Sequence, residues 1–83
     1  MDVKILGSGC PNCKRVEKTA REALAEMSVE AVVTKVTDME EILSYNIPAT
    51  PGLMINGELV SYGRIPTRAE TVSWIATALD KAG

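Results

Sequence analysis

The sequence predicts a mixed α/β domain: a four-stranded mixed sheet with helices on both faces, in the order strand, helix, strand, helix, strand, strand, helix (βαβαββα). Three observations carry this. An apolar N-terminal run is followed by a break and then by a long stretch with helical periodicity. A second β-branched run comes after that stretch, and a strand–helix–strand unit of this kind requires a parallel pair with a right-handed crossover. Asn56-Gly57 between two short apolar runs then marks a β-hairpin, which adds an antiparallel pair.

The first strand spans the first six residues, with Val3, Ile5 and Leu6 apolar, and Gly7-Ser8-Gly9 ends it. A helix opens at Cys10-Pro11-Asn12-Cys13 and runs to about Met27. Val16, Ala20, Ala23, Leu24 and Met27 fall on one face, and Pro11 suits the first turn, where its missing N–H is not needed. Val29 to Val36 reads as a buried strand because it is rich in β-branched residues. Thr37-Asp38-Met39-Glu40 has capping-box spacing and predicts a short helix with Met39, Ile42 and Leu43 inward, ending before Asn46-Ile47-Pro48.

Pro48-Ala49-Thr50-Pro51 forms a stiff loop. The hairpin strands are Leu53-Met54-Ile55 and Leu59-Val60-Ser61-Tyr62. After the turn Gly63-Arg64-Ile65-Pro66, a second capping box, Thr67-Arg68-Ala69-Glu70, opens the last helix. Its inner face is predicted to be Val72, Ile75, Ala76 and Leu79, with Trp74 off the stripe and partly exposed.

With 83 residues, the chain is expected to form one domain over 1–83. Apolar residues make up 46% of it, enough for a packed core. One Trp, two Tyr and no Phe leave that core to Val, Ile, Leu, Met and Ala. The net charge of −2, with basic residues scattered among acids, excludes nucleic acid and anionic membrane as expected partners. No apolar run approaches a bilayer span, and Met1 to Leu6 does not read as a signal peptide, so the expected location is the cytoplasm. Two cysteines three positions apart in a reducing compartment point to redox or metal chemistry over structural stapling.

The thiolate is the nucleophile in disulfide exchange, and a free thiol near pKa 8.5 is only about 3% ionised at pH 7. A cysteine just before a helix N-terminus meets the backbone N–H groups and the positive end of the helix dipole, which stabilise its anion. Cys10 sits there, open to a partner, with Lys14 and Arg15 adding positive potential. Cys13 lies one turn inside, within reach of a mixed disulfide on Cys10. Gly, Pro and Asn around the pair make a poor core segment, against reading it as buried packing. Zinc wants four ligands, and the chain has two cysteines and no histidine. The competing reading is a Cu(I) or iron–sulfur carrier using the same two thiolates. Copper carriers of this size have a strand, helix, strand, strand, helix, strand order, whereas this chain is read as ending on a helix.

The site Cys10-Pro11-Asn12-Cys13 after a first strand, then Thr50-Pro51, then Ile55-Asn56-Gly57-Glu58, resembles the thioredoxin-fold superfamily over nearly the whole chain. The short length and the Gly-Cys-Pro-x-Cys form look closer to glutaredoxins than to full-size thioredoxins. Gly63-Arg64-Ile65-Pro66-Thr67 is similar to a turn in the small microbial thioredoxin-like, redox-active disulfide proteins. The resemblance implies that Cys10 attacks, Cys13 resolves and Pro51 is cis and faces the disulfide. It also implies that Thr50 offers backbone hydrogen bonds to the substrate, with Pro11 and Asn12 part of the substrate-contacting surface.

Two departures stand out. Full-size thioredoxins carry a buried acid six residues before the first cysteine, where this chain has Lys4. The glutathione-holding Gly-Gly-x-Asp turn of glutaredoxins is replaced by Tyr62-Gly63-Arg64, and the lysine before their site by Gly7-Ser8-Gly9, which counts against glutathione as a partner. Arg64 is either solvated or a contact for an acidic partner. The expectation is therefore a monomeric dithiol–disulfide oxidoreductase without cofactor or metal, acting on disulfide-containing proteins and recharged by an upstream dithiol reductase.

Overall fold

The computed structural model describes residues 1–8 and 11–82. Its elements are β1 (Asp2–Leu6), α1 (Pro11–Glu26), β2 (Val32–Val36), α2 (Met39–Ser44), β3 (Gly52–Ile55), β4 (Glu58–Tyr62) and α3 (Arg68–Ala82). The sheet order is β2-β1-β3-β4, with β1 parallel to β2 and the other two pairings antiparallel. This is the predicted βαβαββα topology.

Strand alternation sends the side chains of β1 to two different cores. Val3 and Ile5 join Val16, Ala20, Ala23 and Leu24 of α1, Leu53 and Ile55 of β3, and Ile75 of α3. Leu6 points the other way and packs with Val36, Met54 and Ile42, the last from α2. Thus α1 and α3 cover one face and α2 the other. Asn56 and Gly57 both take positive φ, 50° and 84°, as a tight two-residue hairpin turn requires. The turn is tied to β1 by Asn56 N–H donating to the Asp2 carbonyl at 2.7 Å and Asp2 N–H donating to Asn56 Oδ1 at 2.9 Å.

The second capping box forms as predicted. Glu70 N–H donates to Thr67 Oγ1, and Thr67 N–H donates to Glu70 Oε1, both at 3.1 Å. The first does not form. Asp38 is the N-cap of α2, accepting from Glu40 N–H at 3.2 Å, so the helix starts one residue later than a Thr37 cap would require.

Three burial expectations need correction. The strand expected to be buried over Val29 to Val36 begins at Val32 and lies at the sheet edge, with Val32 69% exposed. Of the three apolar positions in α2, only Ile42 is buried, because a two-turn helix turns few side chains inward; Met39 and Leu43 are exposed. The inner face of α3 is rotated. Thr71 and Ile75 are buried, Val72, Trp74 and Ala78 pack against the core, and Ala76 and Leu79 are exposed. Thr71 can be fully buried because its hydroxyl donates back to the Thr67 carbonyl at 2.9 Å.

Ser61 on β4 is buried, and its hydroxyl has no hydrogen-bond partner among the described residues. An unpaired buried hydroxyl costs desolvation without return. Ser61→Ala is expected to raise stability by up to about 1 kcal/mol, read as a higher urea midpoint at unchanged slope.

Candidate functional site

The cysteine site is built at one end of the sheet. β1 delivers the chain to Gly7, whose N–H donates to the Val36 carbonyl at the end of β2 at 2.9 Å. α1 then starts at Pro11, whose ring fixes a helix-compatible φ and whose missing N–H costs nothing in the first turn. Pro11 and Asn12 are exposed, whereas Cys13 turns inward and is only 6% exposed. Cys13 is disulfide-bonded. Cys10 lies outside the described residues, as does Gly9.

Gly7 makes this packing possible. A Cβ placed there would run into Cys13 Sγ, so only glycine fits beneath the sulfur. In the sequence Gly7 shows only as part of the break that ends the strand, because the close approach depends on how α1 docks.

The β1/β3 register ends at Leu6↔Gly52, so Gly7 and Pro51 leave their strands at the same end of the sheet. The fold thereby brings the Thr50-Pro51 loop to the end that carries Cys13. The Thr50–Pro51 peptide bond is cis, as the family resemblance implied, with Pro51 buried and Thr50 exposed. The Pro51 carbonyl accepts from Gly63 N–H at 2.9 Å, anchoring this loop to the turn after β4.

A cavity of about 110 Å³ opens beside Cys13, walled in part by Lys14, Glu17, Lys35 and Thr37. Glu17 is 15% exposed and accepts from Arg21 Nη2 at 2.9 Å, with Lys35 Nζ at 3.2 Å. The Arg21 hydrogen bond, and Lys35 after it, hold the Glu17 carboxyl below its ordinary value against the opposing effect of burial. Glu17 stands four residues after Cys13, a spacing visible in the sequence. Lys35 enters only through the parallel register of β2, which the sequence does not display.

Residues 1–76 match the family described as Thioredoxin domain. The chain belongs to the thioredoxin family. It is 41% identical over 70 residues to a protein named thioredoxin from Methanothermobacter thermautotrophicus, covering 84% of this chain and 91% of that protein. It is 34% identical over 68 residues to a thioredoxin of Methanocaldococcus jannaschii, covering 82% of this chain and 78% of that one. Thiol–disulfide oxidoreductase chemistry is the general activity that this membership implies.

Within this thioredoxin-family fold, Lys4 points to the α2 face. Its ammonium donates to Tyr45 Oη at 3.1 Å and lies 5.2 Å from the ring centroid, with Asp2 at 3.8 Å. The Tyr45 hydrogen bond is the main reason its pKa is raised. Lys4 therefore anchors α2 to the sheet.

Arg64 is half exposed and pairs within the chain. It donates two hydrogen bonds to Glu70, at 2.9 and 2.7 Å. Among the described residues no three His, Cys, Asp or Glu side chains group as metal ligands, and no helix is long and apolar enough to cross a membrane.

The Arg64 fork, with the Thr67 N–H, holds the Glu70 carboxyl at about 2 against an ordinary 4.5. The folded value is the lower one, so the stabilisation is complete above about pH 4.5 and is lost as pH falls toward 2. Glu70→Gln is expected to be less stable than the parent at neutral pH, with the gap in urea midpoint closing across that window.

Proposed function

We propose that this protein reduces disulfides in protein substrates through Cys10 and Cys13. The Cys10 thiolate attacks one sulfur of the substrate disulfide, and the other substrate sulfur leaves as a thiolate and takes up a proton. Cys13 then gives up its proton and its thiolate attacks Cys10 Sγ. The Cys10–Cys13 disulfide forms, and the second substrate sulfur departs to be protonated. Two electrons pass from the dithiol to the substrate, and an upstream dithiol reductase returns them. Thr50 presents its backbone to the substrate chain, while Pro11, Asn12 and Pro51 form the contact surface around the sulfurs. The protein acts as a monomeric single domain in the cytoplasm, where a reductant keeps such a dithiol charged.

The observation that carries this reading is Cys13, nearly buried in the first turn of α1 directly after β1 in a thioredoxin-family chain. The observed order of elements also differs from the strand, helix, strand, strand, helix, strand order of the copper carriers. Insulin reduction by dithiothreitol, followed by turbidity, tests it. The protein should accelerate precipitation well beyond the thiol alone. No acceleration, together with tight Cu(I) or iron–sulfur binding, would replace this reading with that of a carrier.

A further inference from the structure

The exchange steps leave unused the charged residues that line the cavity with Cys13. Glu17 lines the small cavity together with Cys13, its side chain is largely sheltered from solvent, and its carboxylate is held by Lys35 from β2 and Arg21 from α1. Residues four apart on a helix lie on the same face, so Glu17 and Cys13 are neighbours by construction. Among the described residues, the charged ones lining this cavity with Cys13 are Lys14 and Glu17 from α1 and Lys35 from β2, while β1 contributes Ile5 and the chain beyond it Gly7.

We propose that Glu17 and Lys35 act as a pair of positioning charges that set how readily reduced Cys13 gives up its proton. The proposal rests on Cys13 being the resolving thiol. In that step the Cys13 proton goes to solvent and its electron pair forms the bond to Cys10 Sγ. The bond from Cys10 to the substrate sulfur breaks, and that sulfur leaves with the electron pair and is protonated. A negative carboxylate beside Cys13 disfavours its thiolate, and a positive ammonium favours it. Each charge offsets the other, so together they hold the ionisation of Cys13 between the values that either one alone would set.

The ionisation of Cys13 in a Cys10→Ser background, followed by the ultraviolet absorbance of the thiolate against pH, tests this. Glu17→Gln should lower the midpoint by about half a pH unit, and Lys35→Gln should raise it by a similar amount. The double variant should return near the parent. Midpoints that move in the same direction, or not at all, would overturn the proposal, since a loss of packing has no reason to give opposite signs. Lys35 is exposed and its variant is expected to fold even where Glu17→Gln does not. No substrate enters the measurement, and insulin reduction by the parent protein tests the exchange reading separately, so the two failures are distinguishable.

Discussion

Replacing Cys13 by serine is expected to stop turnover and leave the protein joined covalently to its substrate. A hydroxyl cannot replace the thiolate in the second attack, so the mixed disulfide on Cys10 has no internal exit. Insulin reduction should fall by at least about a hundredfold. An adduct should appear on a non-reducing gel, with peptide mapping locating the bond at Cys10. Cys10→Ser should be equally inactive but form no such adduct, because Cys13 is nearly buried. The asymmetry is the informative result. Equal adducts from both variants would mean that the two sulfurs are interchangeable and that the depth of Cys13 has no mechanistic consequence.

The second large effect is expected at Gly7. Alanine there puts a methyl group into Cys13 Sγ, and that sulfur cannot swing away because it is disulfide-bonded. Overpacking of this kind costs about 1–3 kcal/mol. In a domain of this size each kcal/mol lowers Tm by roughly 4–8 °C. Thermal unfolding of oxidised Gly7→Ala should show that loss. Gly52→Ala is the comparison. Its added methyl meets mainly the tip of Ile47, a flexible side chain that can rotate aside, so its loss should be smaller. Equal losses at the two positions would remove the special role assigned to Gly7.

What the sequence made legible was local. The Thr67–Glu70 box and the Asn56-Gly57 turn each depend on a few adjacent residues, and both formed as read. The inner face of α1 was legible because sixteen residues of helix carry one unbroken stripe. In α3 two stripes with the same spacing compete, and the choice between them depends on Thr71 bonding its hydroxyl to Thr67, which apolar periodicity does not register. The exposure of β2 could not be read either. A β-branched run looks alike at the centre and at the edge of a sheet, and only the order β2-β1-β3-β4 decides.

The same division runs through the candidate site. The helix start that carries Cys13 and the cis Thr50–Pro51 bond were legible as motifs. The steric role of Gly7 and the approach of Lys35 to Glu17 belong to docking and register, so they emerge only from the fold. The sequence leaves Arg64 either solvated or a contact for an acidic partner; its pairing with Glu70 emerges only once α3 is placed.

The central claim is that Cys10 and Cys13 form one reversible dithiol–disulfide couple. Equilibrating the protein with mixtures of reduced and oxidised glutathione, quenching, and counting free thiols by mass spectrometry tests it most directly. The account predicts a single two-electron transition between dithiol and internal disulfide, with a midpoint in the range of roughly −270 to −120 mV spanned by such couples. Two cysteines that each carry glutathione and never pair with one another, or that stay reduced across the whole series, would contradict it.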